Sequence, residues 1–206
     1  MSSFIDFLEE KLGTEYIKKA RSAKVGIAGC GGLGGNCAFN LVRSGIIKLT
    51  LVDFDFVEPR NLNRQFFFYD QVGMPKPEAL AENLRKINPE LELDVVKKRI
   101  SRENVKDIFK DCEIIIEALD QEQGKAMIVE NLLAETTFIV SASGIAGFGN
   151  SDRVKVHRLK KNLVVIGDLA TGIDKAPPLS PMVNIAAAKQ ADVVIEYIMR
   201  KQGIIV

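Results

Sequence analysis

Val25-Gly26-Ile27-Ala28-Gly29-Cys30-Gly31-Gly32-Leu33-Gly34-Gly35-Asn36 is the stretch whose reading decides the fold. An apolar run with strand character feeds into a glycine turn. The residues beyond it carry helical spacing in Leu33, Ala38, Leu41 and Val42 until Gly45 ends the segment. Gly29, Gly31 and Gly34 fit the pattern G-x-G-x-x-G. The first glycine permits a tight turn, the second lets phosphate approach the backbone, and the third lets the helix pack close to the strand. With Gly32 in the same turn, the start of the helix offers unpaired N–H groups to phosphate oxygens. Ile46 to Val52 then reads as a buried strand ending at Asp53. This completes a strand–helix–strand unit of about 30 residues with an acid where ribose hydroxyls would lie. Glycines also occur in turns that bind nothing, so the context has to carry the assignment.

Working outward towards the N-terminus, Ser3 and Asp6 form a capping box ahead of a stripe of Phe4, Leu8 and Leu12 that Gly13 closes. Thr14 is placed to cap a second helix through Arg21, making residues 1–21 an N-terminal helical segment. Towards the C-terminus, residues 53–65 are polar and without period, and read as an extended loop or a short turn of helix. Phe66, Phe67, Phe68 and Tyr69 read as core or dimer packing rather than base stacking, since no basic patch accompanies them. Pro75-Lys76-Pro77 starts a helix with Leu80, Leu84 and Ile87 on one face, stopped at Asn88-Pro89.

Leu91, Leu93 and Val95 alternate as a third strand, and Ser101 is placed to cap a helix carrying Val105, Ile108 and Phe109. Ile114-Ile115-Ile116 is a fully buried strand ending at Ala118-Leu119-Asp120, followed by a helix over Glu122 to Leu133 and a strand at Phe138 to Val140. The alternation predicts an α/β fold with a Rossmann-like, doubly wound, mostly parallel sheet. Past Gly144, two strands (Val154 to Leu159, Leu163 to Ile166) have no helix between them, which predicts an antiparallel C-terminal pair. Gly167 to Pro181 is a long irregular loop. A last helix follows, with Ser180 as cap, Pro181 at its first position, and Val183, Ala187, Gln190, Val194 and Tyr197 on its buried side.

Length and composition narrow the function. The 206 residues suit one domain, and 28 Lys+Arg against 27 Asp+Glu leave a net charge of +1. That balance gives no argument for nucleic acid or for an anionic membrane, so neither is expected as a partner. The first ten residues carry no basic region before their apolar side chains, and no uncharged apolar run nears the roughly 18 residues that span a bilayer. A soluble, cytoplasmic protein is expected. Cys30, Cys37 and Cys112 form no C-x-x-C pair, so no zinc is expected. His157, the only histidine, lies in an alternating stretch and reads as a strand position rather than a catalytic base.

Four features meet at the carboxyl ends of the strands if the sheet is parallel. They are the glycine turn, Asp53 with Asp55, the pair Arg64 and Lys76, and Asp120. Asp53 suits the ribose of a dinucleotide or of ATP equally. Arg64 and Lys76 discriminate, because two cations suit a polyphosphate whose charge shifts during reaction, whereas hydride transfer needs no such clamp. Asp120 is placed to hold Mg²⁺ through one carboxylate and the phosphates.

These residues occur in a recognisable series. Gly29-Cys30-Gly31-Gly32-Leu33-Gly34-Gly35-Asn36, Leu51 to Glu58, Asn61-Leu62-Asn63-Arg64-Gln65 and Gly73-Met74-Pro75-Lys76 closely resemble the ThiF/MoeB family of ATP-dependent adenylating enzymes, from about Lys24 to the final helix. The resemblance implies that Asp53 binds ribose, that Asn61, Arg64 and Lys76 contact phosphates, and that Asp120 binds magnesium. It adds Gln65 and Asp55 to the ATP site. It implies an adenylyltransferase, working as a homodimer, that activates the C-terminal glycine carboxylate of a small ubiquitin-like sulfur carrier (ThiS-like, ending in Gly-Gly), with thiamine biosynthesis as the expected pathway and molybdopterin synthesis as its alternative; within the same class a tRNA base or a peptide terminus stays open as the acceptor. The family's zinc cysteines are absent. So is a cysteine between residues 144 and 181, which implies a reaction stopping at the adenylate. Arg21 is the candidate for an arginine supplied across a dimer. The competing readings are a nicotinamide-dependent dehydrogenase and a non-catalytic nucleotide-binding partner protein.

Overall fold

The computed structural model describes residues 3–133, 137–172 and 175–201. Along these the chain forms α1 (Phe4–Leu12), α2 (Thr14–Ser22), β1 (Lys24–Ala28), α3 (Gly32–Arg43), β2 (Lys48–Asp53), α4 (Lys76–Arg85) and β3 (Glu92–Lys97). It continues through α5 (Val105–Ile108), β4 (Ile114–Glu117), α6 (Glu122–Leu132), β5 (Phe138–Ala142), β6 (Lys155–Lys160), β7 (Leu163–Gly167) and α7 (Ser180–Lys201). The strands hydrogen-bond in the order β3-β2-β1-β4-β5-β7-β6. All pairings are parallel except the last, β6 with β7. The doubly wound sheet and its antiparallel ending are as the sequence predicts. β1 lies between β2 and β4, so the chain reverses direction across the sheet there, and the crevice at that reversal faces the carboxyl ends of all three strands.

The apolar runs are near-continuous because both faces of the sheet are covered. Ile114 and Ile116 point to one face, with Ile27, Leu51, Leu80 and the α7 residues Ala187 and Val194. Ile115 points to the other, with Ala28, Val52, Phe109 and Ile128. Burial there is complete enough that a Cβ on Gly26 would stand 2.6 Å from the Phe109 ring. Tyr197 stacks on Phe138 with centroids 3.9 Å apart, pinning α7 across β5. Of the aromatic cluster, Phe67 is buried and Phe66 packs edge-on against Phe39, while Phe68 and Tyr69 are exposed.

Two expected caps differ. The Ser3–Asp6 box forms as expected, but α2 begins on Gly13 rather than being capped by Thr14. Gly13 has φ +88°, a backbone that threonine resists, and it makes the break between α1 and α2. α5 is capped by Asn104, not Ser101, whose N–H instead donates to the Asn104 side chain. That local bond shortens the helix to one turn.

α3 packs so closely on β1 that a Cβ on Gly34 would lie 1.9 Å from the Gly29 carbonyl oxygen and 2.8 Å from Ile27. Gly34→Ala should therefore cost about 3 kcal/mol, seen as a lowered thermal midpoint. Gly31→Ala, whose added methyl meets nothing nearer than 3.6 Å, should leave the midpoint almost unchanged.

Candidate functional site

The glycine turn is fixed from both neighbouring strands. Gly29, at φ +99°, donates its N–H to Val52 O at 2.9 Å, and Ala118 N–H donates to Ala28 O. A side chain on Gly29 would press on Ala118 O at 2.8 Å. Asp53 completes the anchoring: Oδ2 accepts from Cys30 N–H at 2.8 Å and Oδ1 from Asp55 N–H at 2.9 Å. A carboxylate has about four acceptor sites, so each oxygen retains one for a ligand hydroxyl. Burial, with the Asp53 carboxylate beside it, pushes the Cys30 thiol well above the ordinary range, so Cys30 is a neutral packing residue.

At the start of α3 no side chain caps the helix and no acid occupies its first turn. The neighbouring wall comes from the β2–α4 connection. Asn36 Nδ2 donates to Gly32 O at 2.7 Å and to Arg64 O at 3.0 Å, clamping the Arg64 backbone against the turn. Buried Asn61 shapes this connection: its side-chain oxygen accepts from Glu58 N–H, and its carbonyl accepts from the N–H groups of Arg64 and Gln65. The Arg64 guanidinium donates to Arg60 O and to Asn63 Oδ1, and among the described residues no carboxylate pairs with it. Burial first, then the charge of Arg60, lowers its pKa. A guanidinium still stays protonated at neutral pH. The Gln65 side chain approaches Gly31, and its Oε1 is buried without a hydrogen-bond partner. Such orphans are rare and point to a missing donor.

Lys76 opens α4, is 8% exposed, and pairs through Nζ with Asp55 Oδ2 at 2.9 Å. Cys30, Asp53, Asp55 and Lys76 thus form one hydrogen-bonded chain beginning next to Gly29, and Gly32, Asn36, Arg64, Asn61 and Gln65 form a second, with the Gln65 side chain near Gly31. Asp120 stands exposed beyond β4, joined to neither by a hydrogen bond. Among the described residues no group of three or more His, Cys, Asp or Glu is placed to hold a metal. Arg21 lies at the amino edge of the sheet, paired with Glu90, away from this crevice.

Sequence reasoning missed the support beneath Asp120. Glu117 is fully buried; its carboxylate accepts from Leu119 N–H at 2.7 Å, Lys125 Nζ at 3.1 Å and Ser141 Oγ at 2.5 Å. It sets the turn from which Asp120 projects. The signal was an acid closing the apolar run Ile114-Ile115-Ile116. Also missed were Arg99 over the Phe54 ring at 3.7 Å and Lys97 over Phe56 at 4.3 Å, which rim the crevice.

On the other side, residues 144–150 form a loop linked to residues 168–172 and 175–179. Residues 173 and 174 of the expected long loop lie outside the described residues. Burial would raise the Asp168 pKa, but the Thr171 hydroxyl and N–H, Ala170 N–H and Arg153 outweigh it and hold the carboxyl well below the usual range. Gly147 N–H donates to Pro177 O, Gly147 bridges Pro178, and Asn63 Nδ2 donates to Pro178 O at 3.4 Å.

The sheet order, the glycine turn and the acid ending β2 define a Rossmann-like nucleotide-binding protein. The ThiF family profile matches residues 7–202, and the chain belongs to that family. The tRNA threonylcarbamoyladenosine dehydratase of Escherichia coli is 31% identical over 153 residues, 73% of this chain and 57% of that protein. The dehydratase of Haemophilus influenzae is 27% identical over 168 residues, 77% of this chain and 64% of that protein. The chain thus spans about three-fifths of these curated relatives. The crystal structure of the Escherichia coli dehydratase with ATP has a TM-score of 0.84 at 23% identity, covering 96% of this chain and 95% of that one, a likeness of fold.

These findings overturn the expected ThiS-like carrier in thiamine biosynthesis, because these relatives are named for a modified nucleoside in tRNA. The physical reason is plain in the geometry. The expectation rested on motifs between Gly29 and Lys76, at the carboxyl ends of β1 and β2 and in the connection to α4, and none of them carries information about the acceptor.

Glu117→Ala should cost about 3 kcal/mol in chemical denaturation, since it strands Lys125 and Ser141. Asp168 titrates lower folded than unfolded, so its contribution is complete above its unfolded value of about 3.9 and falls away as the pH drops through the folded value. Asp168→Asn should flatten that acid limb in pH-dependent melting.

Proposed function

We propose that this chain binds ATP in the crevice between β1, β2 and β4 and uses it to activate a carboxylate carried on tRNA, as a dehydratase acting on threonylcarbamoyladenosine would require. The observation that carries the ATP reading is the uncapped start of α3 beside an Arg64 guanidinium with which, among the described residues, no carboxylate pairs. Free helix N–H groups next to an uncompensated cation suit the oxygens of a polyphosphate. The adenosine supplies hydroxyls for Asp53, and the triphosphate supplies charge for Arg64 and Lys76. The acceptor is taken from the dehydratase relatives. This reading sets aside the expectation of no nucleic-acid partner, since a net charge of +1 is a sum over the whole surface.

The chemistry suits these residues. The threonyl unit of the acceptor ends in a carboxylate, ionised at neutral pH, so no general base is needed for the first step. Its oxygen bonds to the α-phosphorus and pyrophosphate leaves; a nitrogen of the same acceptor then attacks the acyl carbon, its proton goes to water, and AMP departs with the oxygen. The balance is loss of one water from the nucleoside. Arg64, Lys76 and the N–H groups of Gly31, Gly32 and Gly34 offset charge at phosphorus. Freeing Lys76 for this requires Asp55 to release it. Asp120 would hold magnesium through one carboxylate together with phosphate oxygens, which suits an isolated acid better than an all-protein cage. Residues 1–206 are taken as one adenylation unit, and the exposed Phe68, Tyr69 and Val72 offer an apolar face for a homodimer.

The test is incubation with ATP, magnesium and tRNA bearing threonylcarbamoyladenosine, read by pyrophosphate release and by nucleoside mass. Release coupled to loss of one water is expected. Arg64→Ala and Lys76→Ala should each slow release by about 10²–10³. An unmodified nucleoside with no pyrophosphate would overturn the acceptor reading, and unchanged rates in both variants would overturn the phosphate clamp.

A further inference from the structure

The chain's near-neutral total conceals a segregation of charge. Residues 153–161, Arg-Val-Lys-Val-His-Arg-Leu-Lys-Lys, hold five cations and no acid, which leaves the rest of the chain at a net charge of −4. Six of these nine residues, Lys155–Lys160, are β6, the outermost strand of the sheet. Lys155 sits opposite Gly167, His157 opposite Val165 and Lys160 opposite Leu163. Directly opposed residues point the same way, so these three share one face, the face from which Leu163 packs towards α6. Arg158, opposite Val164, points to the other face and pairs with Glu196 of α7. Lys155, Lys160 and Lys161 are exposed, and no acid pairs with them among the described residues.

A second feature lies at the end of this row nearer the crevice. Phe148, in the connection from β5 to β6, is 79% exposed beside an open cavity of about 570 Å³ lined by Gly147, Asn150, Arg153 and Thr171. Lys155 is level with the carboxyl end of β7, the same edge of the sheet as the nucleotide crevice. The wall from Arg64 to Phe148 is continuous through Asn63, Pro178 and Gly147. β6 is four strands from β1, or about 19 Å at 4.8 Å per strand.

We infer that this edge is an RNA-docking surface, with Lys155, Lys160 and Lys161 tracking the sugar–phosphate backbone and Phe148 stacking an unpaired base that leads towards the crevice. The inference rests on the tRNA reading above and names the surface that reading requires. Unpaired cations beside an exposed aromatic ring are what a single-stranded or looped nucleic acid recognises. Edge lysines also deter strand pairing between copies. The same like charges make a second copy of this chain a poor occupant, whereas a polyanion gains from every one of them.

The experiment measures binding of fluorescent tRNA by anisotropy across a salt series, for wild type, Phe148→Ala and the triple variant Lys155→Gln, Lys160→Gln, Lys161→Gln. ATP binding is followed in parallel and is expected to be unchanged, which shows that both variants are folded. The triple variant should reduce the slope of log K against log salt by about 2 to 3, since each lost phosphate contact removes about 0.7–0.9. Phe148→Ala should weaken binding about tenfold. Equal affinity and slope in wild type and triple variant would overturn the surface even if the enzyme dehydrates its nucleoside. Wild type that does not bind tRNA would overturn it as well. Binding through β6 without ATP consumption would instead overturn the acceptor reading and leave the surface standing. A triple variant that changes only oligomeric state in light scattering would assign the edge to a second copy and overturn the inference.

Discussion

One carboxylate organises the crevice. Asp53 ends β2, and its two oxygens hold Cys30 N–H in the glycine turn and Asp55 N–H in the loop that follows. The turn would otherwise be a run of small residues with little side-chain packing to fix it. With Asp53 in place, the N–H groups at the start of α3, the Arg64 backbone clamped by Asn36 and the Lys76–Asp55 pair take fixed positions relative to one another. Preorganised dipoles of this kind are worth more than mobile ones because they need no rearrangement as charge develops.

The two cations are held in different states. Among the described residues Arg64 leans on neutral oxygens alone, Arg60 O and Asn63 Oδ1, and its charge has no carboxylate partner. Lys76, almost wholly buried, is compensated by Asp55. A buried ammonium without a partner would be costly, so Asp55 stabilises Lys76. The fully buried Glu117 serves the neighbouring strand in a comparable way, joining β4, β5 and α6 through Lys125 and Ser141.

Much of this was legible in the sequence, for identifiable reasons. The glycine spacing, the apolar triplet Ile114–Ile116 and the missing helix between Leu159 and Leu163 each allow few arrangements, and the sheet follows them. Helix caps at Thr14 and Ser101 were misread because a single glycine at positive φ and a competing asparagine decide such ends locally. Glu117 escaped notice because burial of an acid depends on partners 8 and 24 residues away. The acceptor was misread for a different reason: the motifs from Gly29 to Lys76 are those of the family as a whole and say nothing of what is activated. Averaging charge over 206 residues hid the cluster of five cations at 153–161.

The amide of Asn63 has two ends with separate duties. Its nitrogen donates to Pro178 O in the loop before α7, and its oxygen accepts from the Arg64 guanidinium. Anything that displaces that loop therefore tugs on the oxygen restraining Arg64.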